Sequence, residues 1–393
     1  MMFPKVEDAH NIFDLRDMAK RRLPKWLFEF VDRGTEDEVA LRNNRDAFER
    51  IKLRPRTLVD VSERKLDTVV FGKSHSMPIG IAPTGSAGMM WYQGELELAR
   101  AAKAAGVPFS LATGSITSME DIAEKVGGTL WMQLYMWARR DLSHQLVRRA
   151  SAAGFEALLV TVDGVVAGNR EYNKHNGYSV PFLYNSRNTM DVLSHPRWLF
   201  GVLARYLMNG GMPTRVNFPA ELQGKITTAY GGNKHTRSDS LNWDDLKALR
   251  DIWPGKLLVK GLLHPDDAAK SVEYGADGII VSNHGGRNCD AAPAPIDVLP
   301  QIVKAVGDRA TVLLDSGVRR GSDVVKALAL GAKMVLVGRS TLYGTAAAGE
   351  AGAARALALY RGEISRAMAQ ITCNQVSEIG PWNVAYDYGR QNA

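Results

Sequence analysis

Cysteine is almost absent from this 393-residue chain: there are two, Cys289 and Cys373, in no CxxC or metal-type spacing. A disulfide scaffold and a zinc site are therefore not expected, no metal is anticipated, and a reducing cytoplasmic setting fits best. The first residues alternate charges (Lys5, Glu7, Asp8, Asp14, Arg16) without a continuous apolar run, so no secretory signal is expected. Charge of one sign is nowhere concentrated. The formal net charge of +7 is spread along the chain, which suits an anionic ligand or membrane surface and gives no reason to expect nucleic acid. Long hydrophobic runs are also missing. The longest uncharged stretch, Ser74 to Gly94, contains Pro78, Pro83 and several glycines, and reads as a buried strand with its loop. A second apolar stretch, Trp198 to Met208, is too short to span a bilayer and carries Arg205, but it could lie on a membrane surface.

What is present is a repeated pattern. With 45% hydrophobic and 23% charged residues the chain can bury a large core. From residue 77 onward, short runs rich in β-branched residues alternate with Ala-rich segments of helical period. Eight strands are predicted: Met77–Ala82, Val107–Leu111, Leu130–Gln133, Ala157–Val162, Lys256–Val259, Gly278–Val281, Thr311–Leu314 and Met334–Val337. Helices are predicted at Glu95–Ala105, Leu142–Ala153, Asp266–Tyr274 and Ser322–Leu330. No Gly-x-Gly-x-x-Gly follows the first strand, which counts against a doubly wound sheet. The expected fold is α/β, a (β/α)8 TIM barrel over residues 77–345 within one domain spanning 1–393. An N-terminal helical extension (1–70, with helical period at Ala19–Val31 and Asp37–Phe48) would cover one end of the barrel. A long insertion (about 177–241) would follow strand four, and a C-terminal helical segment would occupy 346–393.

In such a barrel the loops after the strands face the active site. Polar residues stand just past the predicted strand ends: Thr84, Thr113, Gln133 with Tyr135, Thr161 with Asp163 and Arg170, Lys260, Ser282 with His284 and Arg287, Asp315 with Arg319, and Arg339. The sharpest cluster is Ser282-Asn283-His284-Gly285-Gly286-Arg287, whose glycines allow a tight bend that projects His284 and Arg287 toward one site. Histidine is the natural general base near neutral pH, and an arginine beside it can grip a carboxylate in a bidentate pair. Asp315-Ser316-Gly317-Val318-Arg319 and Gly338-Arg339-Ser340, after strands seven and eight, resemble the usual phosphate site of these barrels. Lys260 closes an apolar run as its single charge; it could neutralise a cofactor ring, form a structural ion pair or form a Schiff base.

At these residues the sequence resembles the FMN-dependent 2-hydroxy acid dehydrogenase and oxidase family. The matching segments are Leu23-Pro24-Lys25, Glu36-Asp37-Glu38, Ala82-Pro83-Thr84-Gly85, Gln133-Leu134-Tyr135, Thr161-Val162-Asp163, Ser282 to Arg287, Asp315-Ser316-Gly317 and Gly338-Arg339. Segments 22–25, 195–198, 257–263 and 319–323 are most similar to mandelate-oxidising members. The resemblance implies FMN as cofactor, a small 2-hydroxy acid as substrate, aromatic by the likeness to the mandelate-oxidising members, and a quinone-type electron acceptor, with an oxygen-using oxidase or an L-lactate dehydrogenase as alternatives and an FMN-binding isomerase barrel as the alternative of another class. A homotetramer is implied as well.

The resemblance also implies roles. His284 would take the substrate proton, from the α-carbon or from the hydroxyl, and Asp315 would orient it, with Asp163 a further catalytic residue. Arg170 and Arg287 would bind the substrate carboxylate and Tyr135 would hydrogen-bond the substrate. Lys260 would sit against the flavin N1/O2 edge. Ala82, Pro83, Thr84, Gly85, Thr113, Gln133, Thr161, Ser282 and Asp315 would line the flavin, and Gly317, Arg319, Gly338 and Arg339 would hold its phosphate. One position departs from the pattern: Phe30 stands where the family usually has a tyrosine that binds the substrate carboxylate. A lost hydrogen bond to a charged group is worth about 1.5–3 kcal/mol. Either another donor compensates or the pocket favours larger, more apolar substrates, and the second is the expectation. Trp198, Leu199, Phe200, Val202, Leu203, Tyr206 and Leu207, flanked by Arg197 and Arg205, suit an interfacial helix on the inner face of the membrane, with a lid or subunit contact as alternatives.

Overall fold

The structure, a computed structural model, describes residues 5–178, 185–226 and 239–386. Eight parallel strands close into one barrel: β1 (Ile79–Ile81), β2 (Phe109–Ala112), β3 (Leu130–Leu134), β4 (Ala157–Thr161), β5 (Lys256–Leu262), β6 (Gly278–Val281), β7 (Thr311–Leu314) and β8 (Met334–Val337). Neighbours in sequence are neighbours in space, and β8 closes on β1 through Val337 opposite Ile81. Side chains alternate across each strand: Ala157 and Leu159 of β4 point into the barrel, while Leu158 and Val160 pack outward against the helices. The interior is filled by Ala82, Trp131, Leu159, Leu258, Ile280, Leu313, Met334 and Leu336 with others, so it is a packed core rather than a pore. A hairpin, Thr68–Val70 with Lys73–His75, plugs the bottom, where Phe71 meets Trp131 edge-on at 6.0 Å.

The predicted strands six, seven and eight coincide with β6, β7 and β8. Strand β1 is shorter than expected, since Pro78 has no N–H to give the ladder. Strand β5 is longer and runs to Leu262 through an irregularity after Lys260. There Gly261 adopts φ +105°, and a Cβ on it would lie 2.6 Å from Asp163. Glycine at 261 lets the loop after β4 close onto the end of β5.

The extension is three helices, α1 (Ile12–Arg22), α2 (Lys25–Asp32) and α3 (Val39–Arg50). The helical period expected to continue through Ala19–Val31 breaks at Leu23, which is extended (φ −85°, ψ 142°) because Pro24 follows it. Helix α3 lies over the C-terminal mouth of the barrel. The last barrel helix, Arg339–Gln370, kinks at Ala348–Gly349. The chain then returns as a strand, Val384–Tyr386, antiparallel to Ile51–Leu53, so the segment after residue 346 is not wholly helical.

In the insertion, Ser186–Leu193 is helical and Pro196–Met208 forms a second helical stretch with a π turn at Leu199–Leu203. Residues 179–184 and 227–238 of the insertion lie outside the described residues. The apolar stretch is two-faced, with one side packed into the protein and the other turned outward. Trp198 and Val202 are buried, with the Trp198 indole donating to the Met89 carbonyl at 2.7 Å, and the Tyr206 hydroxyl accepts from Gln93 N–H at 3.0 Å. Phe200, Leu207 and Met208 face outward. Among the described residues no helix is long and apolar enough to cross a membrane.

Candidate active site

The strand registers set polar side chains side by side at the barrel mouth: Ala112 is opposite Gln133, Thr161 opposite Lys260, and Leu314, which precedes Asp315, opposite Val281, which precedes Ser282. Gln133 Nε2 donates to Thr161 Oγ at 3.0 Å and its Oε1 accepts from Thr113 N–H at 3.2 Å. The Thr113 hydroxyl donates to the Gln133 carbonyl at 2.6 Å. Lys260 Nζ donates to Ser282 Oγ at 2.9 Å and pairs with Asp315 at 3.0 Å. Burial opposes the ammonium charge, but Asp315 and Asp163 outweigh it and hold the Lys260 pKa above its ordinary range. An ammonium held in this ion pair is a poor amine nucleophile, which disfavours the Schiff-base alternative and leaves a positive charge at the mouth.

His284 stands at the centre. Its Nδ1 lies 3.0 Å from Asp163 Oδ1 and its Nε2 lies 3.1 Å from the Tyr135 hydroxyl. A carboxylate accepts only, so Nδ1 carries the hydrogen and Nε2 presents its lone pair toward Tyr135 and the mouth. This corrects the expected pairing: Asp163 orients the imidazole, whereas Asp315 is engaged by Lys260 and by the Ser316 hydroxyl at 2.8 Å. Burial lowers the His284 pKa; Asp163 opposes this and Lys260 reinforces it, with the balance below the ordinary value. That balance favours the neutral imidazole over imidazolium.

The loop that carries His284 is held by the extension. His284 itself has φ +59°, a left-handed conformation that a non-glycine residue adopts only under constraint. Asn44 of α3 and Asn283 exchange amide hydrogen bonds at 2.9 and 2.7 Å, and Thr35 N–H donates to the Gly286 carbonyl at 3.0 Å. A Cβ on Gly286 would lie 2.6 Å from the Leu41 backbone nitrogen, so only glycine lets α3 approach. The Ser282 hydroxyl, the Ser316 hydroxyl and the Arg339 guanidinium hold His284 N–H, Gly285 N–H and the Gly285 carbonyl.

Arg287 donates to the carbonyls of Phe30 at 2.7 Å and Arg33 at 3.2 Å, and makes no ion pair among the described residues. Burial, and next the facing Arg170, pull its pKa down to about 9, which still leaves it charged at neutral pH. The buried Arg287 guanidinium, with the Arg170 charge acting on it, suits an anionic ligand. The Arg287 guanidinium lies 5.2 Å from the centre of the Phe30 ring, which places Phe30 beside it.

The phosphate-type residues divide. Gly338 and Arg339 open the long last helix, and Thr84 lies 3.4 Å from where a Cβ on Gly338 would stand. Arg339 spends three donors on the carbonyls of Val31, Arg33 and Gly285. After β7, Asp323 accepts from the N–H groups of Arg319 and Arg320 and pairs with Arg45, so the neighbouring helix start is already capped by a carboxylate. Gly317 has φ +81°, packs against Asn44 and gives its carbonyl to Arg45. Ala82 continues the β1–β8 ladder through Val337, and Pro83, Thr84 and Gly85 follow it into the mouth. The donor set fits FMN. A belt of buried amide and hydroxyl groups ending in a cationic lysine suits the polar edge of a flavin ring, and a glycine-started helix flanked by arginines suits a phosphate.

The comparisons agree with this chemistry. The family model for FMN-dependent dehydrogenases matches residues 19–385. The chain is 43% identical to (S)-mandelate dehydrogenase of Pseudomonas putida, over 95% of this chain and 93% of that protein. It is 41% identical to an L-lactate oxidase of a Nostoc species, over 95% and 97%. A solved structure described as the monotopic membrane protein (S)-mandelate dehydrogenase superposes with a TM-score of 0.91 at 43% identity, covering 97% of this chain and all of that one. The chain belongs to the FMN-dependent dehydrogenase family. It is a flavoenzyme that binds FMN and oxidises a 2-hydroxy acid.

Proposed function

We propose that the substrate is an aromatic (S)-2-hydroxy acid of the mandelate type, oxidised to its 2-keto acid, with electrons passed on to a quinone-type acceptor at a membrane surface. The observation that carries the reading is the Asp163–His284–Tyr135 chain beside the buried Arg287, which has no ion pair among the described residues, with an apolar Phe30 ring facing it. Arg287 and Arg170 would fix the substrate carboxylate, and Tyr135 would hydrogen-bond the substrate oxygen and leave His284 Nε2 to receive one proton. Asp163 stabilises the resulting imidazolium, as a carboxylate does behind other histidine bases. Bound FMN supplies the two-electron acceptor. Lys260, held charged by Asp315, would sit against negative charge at the cofactor edge; Thr113, Gln133, Thr161 and Ser282 would orient that edge, with Gly338 and Arg339 at the phosphate.

Phe30 supports an aromatic acid over a small one because the helix face that usually offers a hydroxyl offers a ring. The membrane reading rests on the outward face of the insertion, where Met190, Leu193, Phe200, Leu207 and Met208 are exposed beside Arg197 and Arg205. A homotetramer belongs to the same reading by family likeness. The test is anaerobic reduction of the bound flavin by (S)-mandelate, (S)-lactate, glycolate and long-chain 2-hydroxy acids. The highest reduction efficiency is expected for (S)-mandelate; a clear preference for glycolate or lactate would refute the aromatic assignment. Oxygen uptake that keeps pace with turnover on an artificial acceptor would replace the quinone by oxygen.

A further inference from the structure

We propose that Tyr172 supplies the phenol that Phe30 lacks, donating a hydrogen bond to the substrate carboxylate held by Arg170 and Arg287. The inference rests on the functional reading above and names the group that completes its carboxylate site.

Tyr172 lies two residues after Arg170, in the short helix Glu171–Asn176. Asn176, one turn further along, donates to Glu29 of α2 at 2.7 Å, so this helix packs its inner face against the helix that carries Phe30. Tyr172 is 4% exposed, and its hydroxyl is buried without a hydrogen-bond partner among the described residues. An unsatisfied phenol in a protein interior is costly, so a partner is expected to arrive with the ligand.

The surroundings specify that partner. The Arg33 guanidinium stands 5.0 Å from the centre of the Tyr172 ring, and the buried Arg287 and Arg339 lie in the same neighbourhood. Guanidinium groups only donate, so none of them can accept the phenolic hydrogen. Arg33 is already paired with Glu38 at 2.9 Å and Arg339 with three carbonyls, so the missing component is an acceptor, and an anion beside the buried Arg287 satisfies it and Tyr172 together. A 2-hydroxy acid brings such an acceptor to Arg170 and Arg287. The phenol absent from α2 and the phenol on the helix packed against it would then serve one function.

The test is Tyr172→Phe in the FMN-loaded enzyme. The readouts are KM for (S)-mandelate in anaerobic flavin reduction and Kd for benzoylformate from the change in the flavin spectrum. Both should rise roughly 10- to 100-fold, the equivalent of one hydrogen bond to a charged group, while methyl mandelate, which has no carboxylate, is affected less than threefold. Phe30→Tyr added to Tyr172→Phe should restore most of the loss. Unchanged KM and Kd in Tyr172→Phe, or equal losses for the acid and the ester, would overturn the proposal. Should Tyr172→Phe not retain flavin, Phe30→Tyr alone decides the matter. With Tyr172 already donating, a second phenol changes KM less than threefold, whereas a tenfold tightening means that no donor was in place. Failure of every 2-hydroxy acid to bleach the flavin of the unaltered enzyme would overturn the functional reading and this inference with it. Bleaching with an unchanged variant overturns Tyr172 alone.

Discussion

His284 illustrates how much a single residue depends on its neighbours. Its position after β6 and the flanking glycines were legible in the sequence, because the motif is local. Its carboxylate partner was not: Asp163 is 121 positions away and Asp315 only 31, and both follow barrel strands. What decides between them is Lys260, whose buried charge takes Asp315 and leaves Asp163 to the imidazole. The consequence can be measured in Asp163→Asn. The neutral amide removes the charge that favours imidazolium, so the His284 pKa, already lowered by burial, moves further down. The amide also no longer enforces the Nδ1–H tautomer. The rate of flavin reduction should fall by roughly 10²–10⁴-fold, as expected for a misoriented histidine base. In the unaltered enzyme the acid limb of kcat/KM should lie below the ordinary imidazole range, since the base works when deprotonated; in Asp163→Asn it should shift lower still. An unchanged rate, or a limb shifted upward, would show that Asp163 does not serve His284.

At the scale of elements, periodicity predicted β6, β7 and β8 because those strands are short apolar runs with clear punctuation. The extension was harder to read. Apolar spacing runs through Leu23, and only the steric demand of Pro24 separates α1 from α2. The hairpin under the barrel and the final strand pair escaped because three-residue strands carry too little pattern, and their partners are fixed only when the barrel brings them together. The insertion helix shows the same limit. Sequence marks Trp198 to Met208 as apolar but does not say which residues face the protein, and docking assigns Trp198 and Val202 inward and Phe200, Leu207 and Met208 outward. If that outward face meets a bilayer, Phe200→Glu with Leu207→Glu should abolish co-flotation with anionic vesicles while leaving flavin reduction unchanged. Each lost apolar side chain is worth about 1.5–3 kcal/mol of insertion energy, enough to reduce partitioning more than 100-fold for the pair. Flotation undiminished in the double variant would place the attachment elsewhere or remove it.

At the scale of the molecule, the barrel makes the chemistry possible by bringing strand ends far apart in sequence to one mouth. Thr113, Gln133, Thr161, Lys260, Ser282 and Asp315 come from six consecutive strands and form one polar belt. The extension closes over it: α3 fixes the His284 loop through Asn44, and α2 sets Phe30 against Arg287. Length, alternation and the polar residues after each strand were enough to read the barrel and to name candidate residues that the strands bring to one mouth. The pairings within it were not, because they depend on which loops touch. The central claim is that His284 is the base for 2-hydroxy acid oxidation, and the most direct measurement is anaerobic mixing of (S)-mandelate with the FMN-loaded enzyme and with His284→Ala. The flavin of the unaltered enzyme should bleach rapidly, and that of His284→Ala, still fully bound, should bleach at least roughly 10²-fold more slowly. Equal bleaching in the two would contradict the account.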